Sequence, residues 1–248
     1  MRTKEEISAH KKSVHVLENI FDNIEMLIAN NPNITEYDIQ KHIESDFEKY
    51  NHSTDKDRPI VAYRENSSVV HYYPQKQWSK KLKKWSLILV DIRARQKNGH
   101  NPFADITQMF YYGDFVPKNI EKVFNDVIFI RDKTIEFIED KLHKNNIPTW
   151  AEIQNATSEQ VNKLWYKGKM NHYVGHCIWF YSPHGNRKNI TPTNNIPLEI
   201  NLWYTIEPWI YLKNTFWIRS EINFYIDENL KLNVTTKQQK QIHRIKPR

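Results

Sequence analysis

One cysteine, Cys177, in 248 residues leaves no partner for an internal disulfide, so the chain reads as a protein of a reducing, cytoplasmic compartment. No apolar run approaches the roughly 20 residues that a membrane helix needs. The longest, "WSLILVDI" at 85–92, is far shorter, which excludes a membrane-spanning reading. The opening "MRTKEEISAHKKS" is charged and lacks the apolar core of a signal peptide. Glycine is scarce, with 5 residues, so glycine-based turn signals are weak. Linkers, low-complexity segments and the patterns of zinc fingers, RNA-recognition modules and basic zippers are all missing.

What is present argues for a folded core. Hydrophobic residues make up 39% and aromatics 13%, with 8 Trp and 13 Tyr, against 26% charged residues. The length suits one large domain over 1–248. The net charge of +7 comes from 36 Lys plus Arg against 29 Asp plus Glu, concentrated in "KQWSKKLKKW" at 76–85 and the basic tail 237–248. A solvated face and a frayed tail account for both runs, so nucleic acid is not expected as a partner.

The apolar spacing predicts a helix over 13–30 and a second carrying Ile39, Ile43 and Phe47. Extended segments are expected at "PIVAYR", "SVVHYYP" (68–74), "WSLILVDIRAR" and "ADITQMFYY". A long helix follows Pro117, and another starts at "TWAE", where Thr149 and Glu152 have capping-box spacing. Strands "YVGHCIWFY", "LWYTIEPWIYL" and "FWIRSEINFYID" complete the chain. Helices, strands, helices, strands: the order describes an α+β domain in two similar halves.

Glu207 interrupts an apolar, aromatic-rich segment immediately before Pro208. A buried carboxylate is costly unless a positive partner meets it, so Glu207 implies an ion pair or a metal. Asp91 and Asp105 are as far apart in sequence as Glu207 and Glu221. If each pair spans a hairpin, the two carboxylates face each other with Cβ atoms about 5 Å apart. Four such charges cannot stay ionised together without cations. Two divalent ions would balance them, with His176 as a nitrogen ligand, and oxygens plus one imidazole suit Mn²⁺, Fe²⁺ or Co²⁺ at least as well as Zn²⁺. The competing account pairs the carboxylates with Arg93, Arg95 and Arg219 in structural ion pairs.

The ordered series "VDIRARQKNGHNPFADITQMF", "YVGHCIWFYSPHG", "YTIEPWIY" and "WIRSEINFYI" resembles the ligand motifs of the pita-bread metallopeptidases, the family of methionine aminopeptidase, aminopeptidase P, prolidase and creatinase. "NITEYDIQ" and "ENSSVVHYYP" resemble the family's early helix start and strand, so the likeness spans nearly the whole chain. It implies the pita-bread fold: two pseudo-symmetric halves with a curved antiparallel sheet flanked by helices, without the extra N-terminal domain of aminopeptidase P or prolidase. By the resemblance Asp91 chelates one metal, His176 and Glu207 bind the other, and Asp105 and Glu221 bridge. His71 and His184 match the pocket histidines, Arg219 the arginine two residues before the last ligand, and Glu207 doubles as proton acceptor. The implied activity is a dinuclear exopeptidase using a bridging hydroxide, with Mn²⁺ as the first choice of metal.

The "HYYP" segment is similar to the proline-directed members, implying an Xaa-Pro aminopeptidase-like enzyme, monomeric or homodimeric, acting on peptides. Methionine aminopeptidase, prolidase or a non-catalytic binding module are the alternatives. Departures from the family pattern are three extra residues between the two Asp residues, Gln108 for arginine, Trp179 for glycine beside the expected substrate pocket, His184 one residue late, and Ile222 for an acid.

Overall fold

A computed structural model describes residues 3–69, 72–170, 172–184, 191–212 and 215–247. The first half opens with helices α1 (Lys4–Asn30) and α2 (Glu36–Lys49), followed by strands β1 (His52–Ser53) and β2 (Ile60–Tyr63), a 3-10 turn at Arg64–Ser68, and the long hairpin β3 (Ser86–Gln96) and β4 (Ala104–Tyr112). The second half has helices α3 (Lys118–His143) and α4 (Trp150–Lys163), then β5 (Cys177–Ile178), β6 (Trp203–Ile206), β7 (Trp209–Leu212), β8 (Phe216–Arg219), β9 (Ile222–Ile226), β10 (Leu232–Val234) and β11 (His243–Ile245).

Helix α1 starts nine residues before the apolar stripe announces it. Thr3 accepts from the Glu6 backbone while the Glu6 carboxylate accepts from the Thr3 backbone, a capping box that satisfies two otherwise orphaned N–H groups. Thr35 with Asp38 starts α2 in the same way, and Thr149 with Glu152 starts α4. Buried Leu17, Ile20, Phe21, Ile24 and Ile28 of α1 and Ile39, Ile43 and Phe47 of α2 pack on one face of the first sheet.

That sheet runs β1-β3-β4-β11, with β2 on the same edge of β3 as β1. Strands β3 and β4 are buried on both faces, and alternation along them decides which residues go where. Ile88, Val90, Ile92 and Ala94, with Ala104, Ile106 and Phe110, meet α1 and α2. Leu87, Leu89, Met109 and Tyr111 face the opposite way, onto Val123, Phe124, Val127 and Ile130 of α3. Asp91, Arg93, Asp105 and Thr107 continue this second face.

The second sheet runs β10-β9-β6-β5. Its outer face, Tyr204, Ile206, Ile222, Phe224 and Ile226, packs with Ile138, Trp150 and Ile153 of α3 and α4. By the same alternation Thr205, Glu207, Glu221 and Asn223 face the first sheet. The two inner faces are joined by Asn223, whose side chain donates to the Asp105 carbonyl at 2.6 Å and accepts from the Asp105 N–H at 3.0 Å.

Several expectations change. Segment 68–74 is not a strand among its described residues: Ser68 closes the 3-10 turn and residues 72–74 are irregular. The predicted strand "YVGHCIWFY" shrinks to Cys177–Ile178, and "LWYTIEPWIYL" breaks at Glu207–Pro208 into β6 and β7. The tail is not frayed. Its β11 pairs in parallel with β4, Ile242 and Ile245 are buried, and Gln239 bonds both backbone groups of Met109. The basic run 76–85 is largely exposed, with Leu82 alone buried. Among the described residues no helix is long and apolar enough to cross a membrane.

Candidate metal centre

The register of the hairpin sets the first half of the centre. Arg93 lies directly opposite Asp105, and Asp91 opposite Thr107, so the two carboxylates are diagonal neighbours with Arg93 between them rather than facing as the hairpin argument expected. In the second half Ile206 pairs with Ile222 and Trp209 with Arg219, which brings Glu207 opposite Glu221 where the strands break. His176 is tied alongside, its N–H donating to Thr205 Oγ1 at 3.0 Å while its carbonyl accepts from the Thr205 N–H at 2.8 Å.

The structure brings Asp91, Asp105, His176, Glu207 and Glu221 together around a cavity of about 20 Å³. Potential ligand atoms fall into three groups: His176, Glu207 and Glu221; Asp91, Asp105 and Glu221; and Asp105, His176 and His184. All five are buried. A larger groove, of about 730 Å³, lies against α1 and shares no residue with this cluster.

Whether these groups fit a cation is tested by their unsatisfied atoms. Asp91 Oδ1 and Asp105 Oδ1 are buried and accept no hydrogen bond. His176 Nδ1 lies 3.2 Å from the Cys177 carbonyl, which places the proton on Nδ1 and the lone pair on Nε2. That lone pair faces Glu207 Oε1 at 3.3 Å and Asp105 Oδ2 at 3.8 Å. An acceptor aimed at two carboxylate oxygens is repelled unless a cation or a proton lies among them. The donor set fits a divalent ion, with the Cys177 carbonyl fixing the imidazole tautomer as metal sites require.

Electrostatics separate the carboxylates. Burial pushes Glu207 up to about 7 and raises Asp105 and Glu221 well above the usual carboxylate range, helped by their mutual repulsion. Burial also acts on Asp91, but Arg93 and Arg219 outweigh it and hold that carboxyl below its ordinary value. Burial depresses His176 well below the usual imidazole range, so the ring is neutral.

Two guanidiniums enter the cluster. Asp91 Oδ2 accepts from Arg93 Nη2 at 3.0 Å and from Arg219 Nη1 at 2.7 Å. Arg93 Nε lies 3.6 Å from Asp105 Oδ1, and Arg219 Nη1 lies 3.5 Å from Glu207 Oε2. Arg219 is held between the indoles of Trp209 and Trp217, each centroid 4.8 Å away. Arg95 instead pairs with Asp55, away from the cluster.

Of the remaining sequence candidates, His184 lines the cavity, accepting from Arg93 Nη1 across 3.1 Å with its ring centroid 4.8 Å from that of His176. His71 lies outside the described residues. The Trp179 side chain packs on the core of the second half and does not line the cavity, because the chain leaves strand geometry after Ile178. Its aromatic place at the cavity is taken by Trp209, against which the His172 ring lies tilted with centroids 4.7 Å apart. Sequence reasoning missed both of these, together with Thr107, which donates to Glu221 Oε2 at 2.8 Å, and Arg131, which donates to Ser220 Oγ at 2.9 Å between Arg219 and Glu221.

Residues 7–228 match the model of metallopeptidase family M24. The chain belongs to that family. An uncharacterized peptidase of Methanocaldococcus jannaschii is 25% identical over 231 residues, covering 92% of this chain and 61% of that protein. Among solved structures, the X-Pro aminopeptidase from Thermotoga maritima superposes with a TM-score of 0.84 at 22% identity, covering 98% of this chain and 64% of the other. A prolidase from Thermococcus sibiricus gives 0.81 at 20% identity, over 98% and 62%. The M24 chain described here therefore has the pita-bread α+β fold, and spans about three fifths of the length of these relatives.

Proposed function

We propose that this M24 chain is a metal-dependent exopeptidase of the Xaa-Pro aminopeptidase type, with residues 1–248 as one catalytic domain acting on peptides in the cytoplasm. The observation that carries the reading is the neutral His176 Nε2 facing carboxylate oxygens of Glu207 and Asp105 inside a buried cluster. The choice of Xaa-Pro substrates draws on the "HYYP" segment and on the titles of the structures of like fold; prolidase and methionine aminopeptidase chemistry are the nearest alternatives. Asp105, His176, Glu207 and Glu221, with Asp91 beside them, would hold the metal, and their oxygen-rich donor set favours Mn²⁺ over Zn²⁺, with Co²⁺ and Fe²⁺ also suited. The two-ion count expected from the sequence rests on the four carboxylates and on the family resemblance.

A bound divalent cation supplies Lewis acidity, lowering the pKa of a water and polarising the scissile carbonyl. Glu207 would accept the water's proton and pass it to the leaving nitrogen. His184, its Nε2 engaged by Arg93, carries its proton on Nδ1 and serves as donor to the carbonyl oxygen as charge develops. Thr107 and Asn223 fix Glu221 and the Asp105 backbone, so the ligands keep their positions through the reaction. Trp209 and His172 would form an aromatic wall of the cavity against the substrate.

The test is turnover with Mn²⁺ on Xaa-Pro-Yaa, Xaa-Pro and Met-Ala-Yaa peptides, beside a Glu207→Ala control. Release of the residue before proline, lost in the control, is the expected result. Cleavage confined to Xaa-Pro or to Met-Ala-Yaa would reassign the subclass. No turnover on any of the three would sink the peptidase reading.

A further inference from the structure

We infer that this centre takes one divalent cation rather than two, bound by Asp105, His176, Glu207 and Glu221, and that Arg93 stands in for the charge of the second. The inference rests on the metallopeptidase reading and refines it. Four carboxylates carry four negative charges, and Arg93 and Arg219, both buried among them, return two. Arginine does not give up its proton in a protein, so these two charges are permanent. One divalent ion then neutralises the side chains, whereas two leave an excess of two positive charges away from solvent, of which a bridging hydroxide offsets only one.

Geometry assigns which flank stays open. On the Asp91 side, Oδ2 is already taken by both guanidiniums, at 3.0 and 2.7 Å, so one oxygen is left for a metal. Arg93 stands directly across from Asp105 in the hairpin register, with Nε 3.6 Å from Asp105 Oδ1. An ion bridging Asp91 Oδ1 and Asp105 Oδ1 would lie against a fixed cation. Arg93 is buried and held at both ends of its fork, Nη2 donating to Asp91 Oδ2 and Nη1 to His184 Nε2 at 3.1 Å. On the other flank, Glu207 Oε1 and Asp105 Oδ2 converge on His176 Nε2, at 3.3 and 3.8 Å. The single ion belongs there.

The experiment strips the full chain with a chelator, reloads it with excess Mn²⁺, desalts it, and measures manganese per chain by elemental analysis and electron paramagnetic resonance. The expected wild-type result is about one ion with the hyperfine pattern of isolated Mn²⁺. Arg93→Ala should rise to about two ions with an exchange-coupled spectrum, Arg93→Gln should behave alike if the alanine variant does not fold, and Arg93→Lys, which keeps the charge, should stay at one. Two coupled ions in the wild type overturn the inference and leave the peptidase reading intact. One ion in both wild type and folded Arg93→Ala and Arg93→Gln removes Arg93 as the cause. No bound Mn²⁺ in any variant overturns inference and metallopeptidase reading together. One wild-type ion without peptide turnover supports the stoichiometry while sinking the peptidase reading.

Discussion

The two halves of the molecule supply the same kind of residue to the centre, and Asp91 of the first is held by means opposite to those that hold Glu207 and Glu221 of the second. Asp91, from the first half, meets two guanidiniums and is kept ionised. Glu207 and Glu221, from the second, meet threonine hydroxyls and a neutral imidazole, and burial raises both. Residue type alone therefore does not make a metal ligand. What surrounds each carboxylate decides whether it is already neutralised or still needs a cation, and the arginines have settled that for Asp91 only, Asp105 of the same half being raised with the glutamates.

The comparison breaks most sharply at Glu207. Glu207→Gln keeps the side chain's shape and removes its proton-accepting role, and should lower kcat/KM by about 10²–10⁴-fold in steady-state assays of the Mn²⁺-loaded enzyme. A loss within tenfold would move the proton acceptor elsewhere. Arg219→Ala attacks the other half, stripping Asp91 of one of its guanidiniums. Opening a buried pair costs about 3–5 kcal/mol, or a fall in Tm of about 6–20 °C by calorimetry for a chain of this size. An unchanged Tm would mean that Arg93 alone suffices for Asp91.

Asn223→Ala cuts the tie between the halves. It leaves the Asp105 N–H and C=O without their partner, each stranded group costing about 1–3 kcal/mol, and urea titration should show the loss with the helices retained by circular dichroism. The most gradual effect is read with pH on the chelated protein. Glu207, at about 7 in the folded state against 4.5 ordinarily, binds a proton that the unfolded chain has released across that interval, and Asp105 and Glu221 shift the same way. Stability should fall as pH rises through this window, by on the order of 1.4 kcal/mol per unit for each such group. Asp91 has the opposite sign: its lowered pKa contributes stability that is present above 3.8 and lost as pH falls below it. Saturating Mn²⁺ should reverse the neutral-pH slope, since the ion competes with those protons.

Much of this arrangement was legible in the chain. Period-two alternation through "LILVDIR" and "ADIT" separates the apolar residues on one face from Asp91 and Asp105 on the other, and five candidate ligands named from the sequence do meet at one cavity. The same alternation places Arg93 beside Asp91, and the ion-pair account read it into the cluster with Arg219 and Arg95, of which Arg95 pairs with Asp55 instead. Asn223 and Arg131 left no signal, because their partners lie 118 and 89 residues away. Trp179 misled because an aromatic beside a pocket motif reads as pocket wall, while the two-residue length of β5 turns it toward the core. The polar tail hid a strand whose security comes from one amide, Gln239, engaging the backbone of Met109.

That amide sets a schedule for the molecule. Met109 and Gln239 are 130 residues apart, and β11, a few residues later, closes the open edge of the strand that carries Asp105. At about 5–20 residues per second, the ribosome delivers that partner roughly 6–26 s after β4 has emerged. During the wait β4 offers an unpaired edge to any neighbouring nascent chain, and β11 is the strand that ends the period of risk.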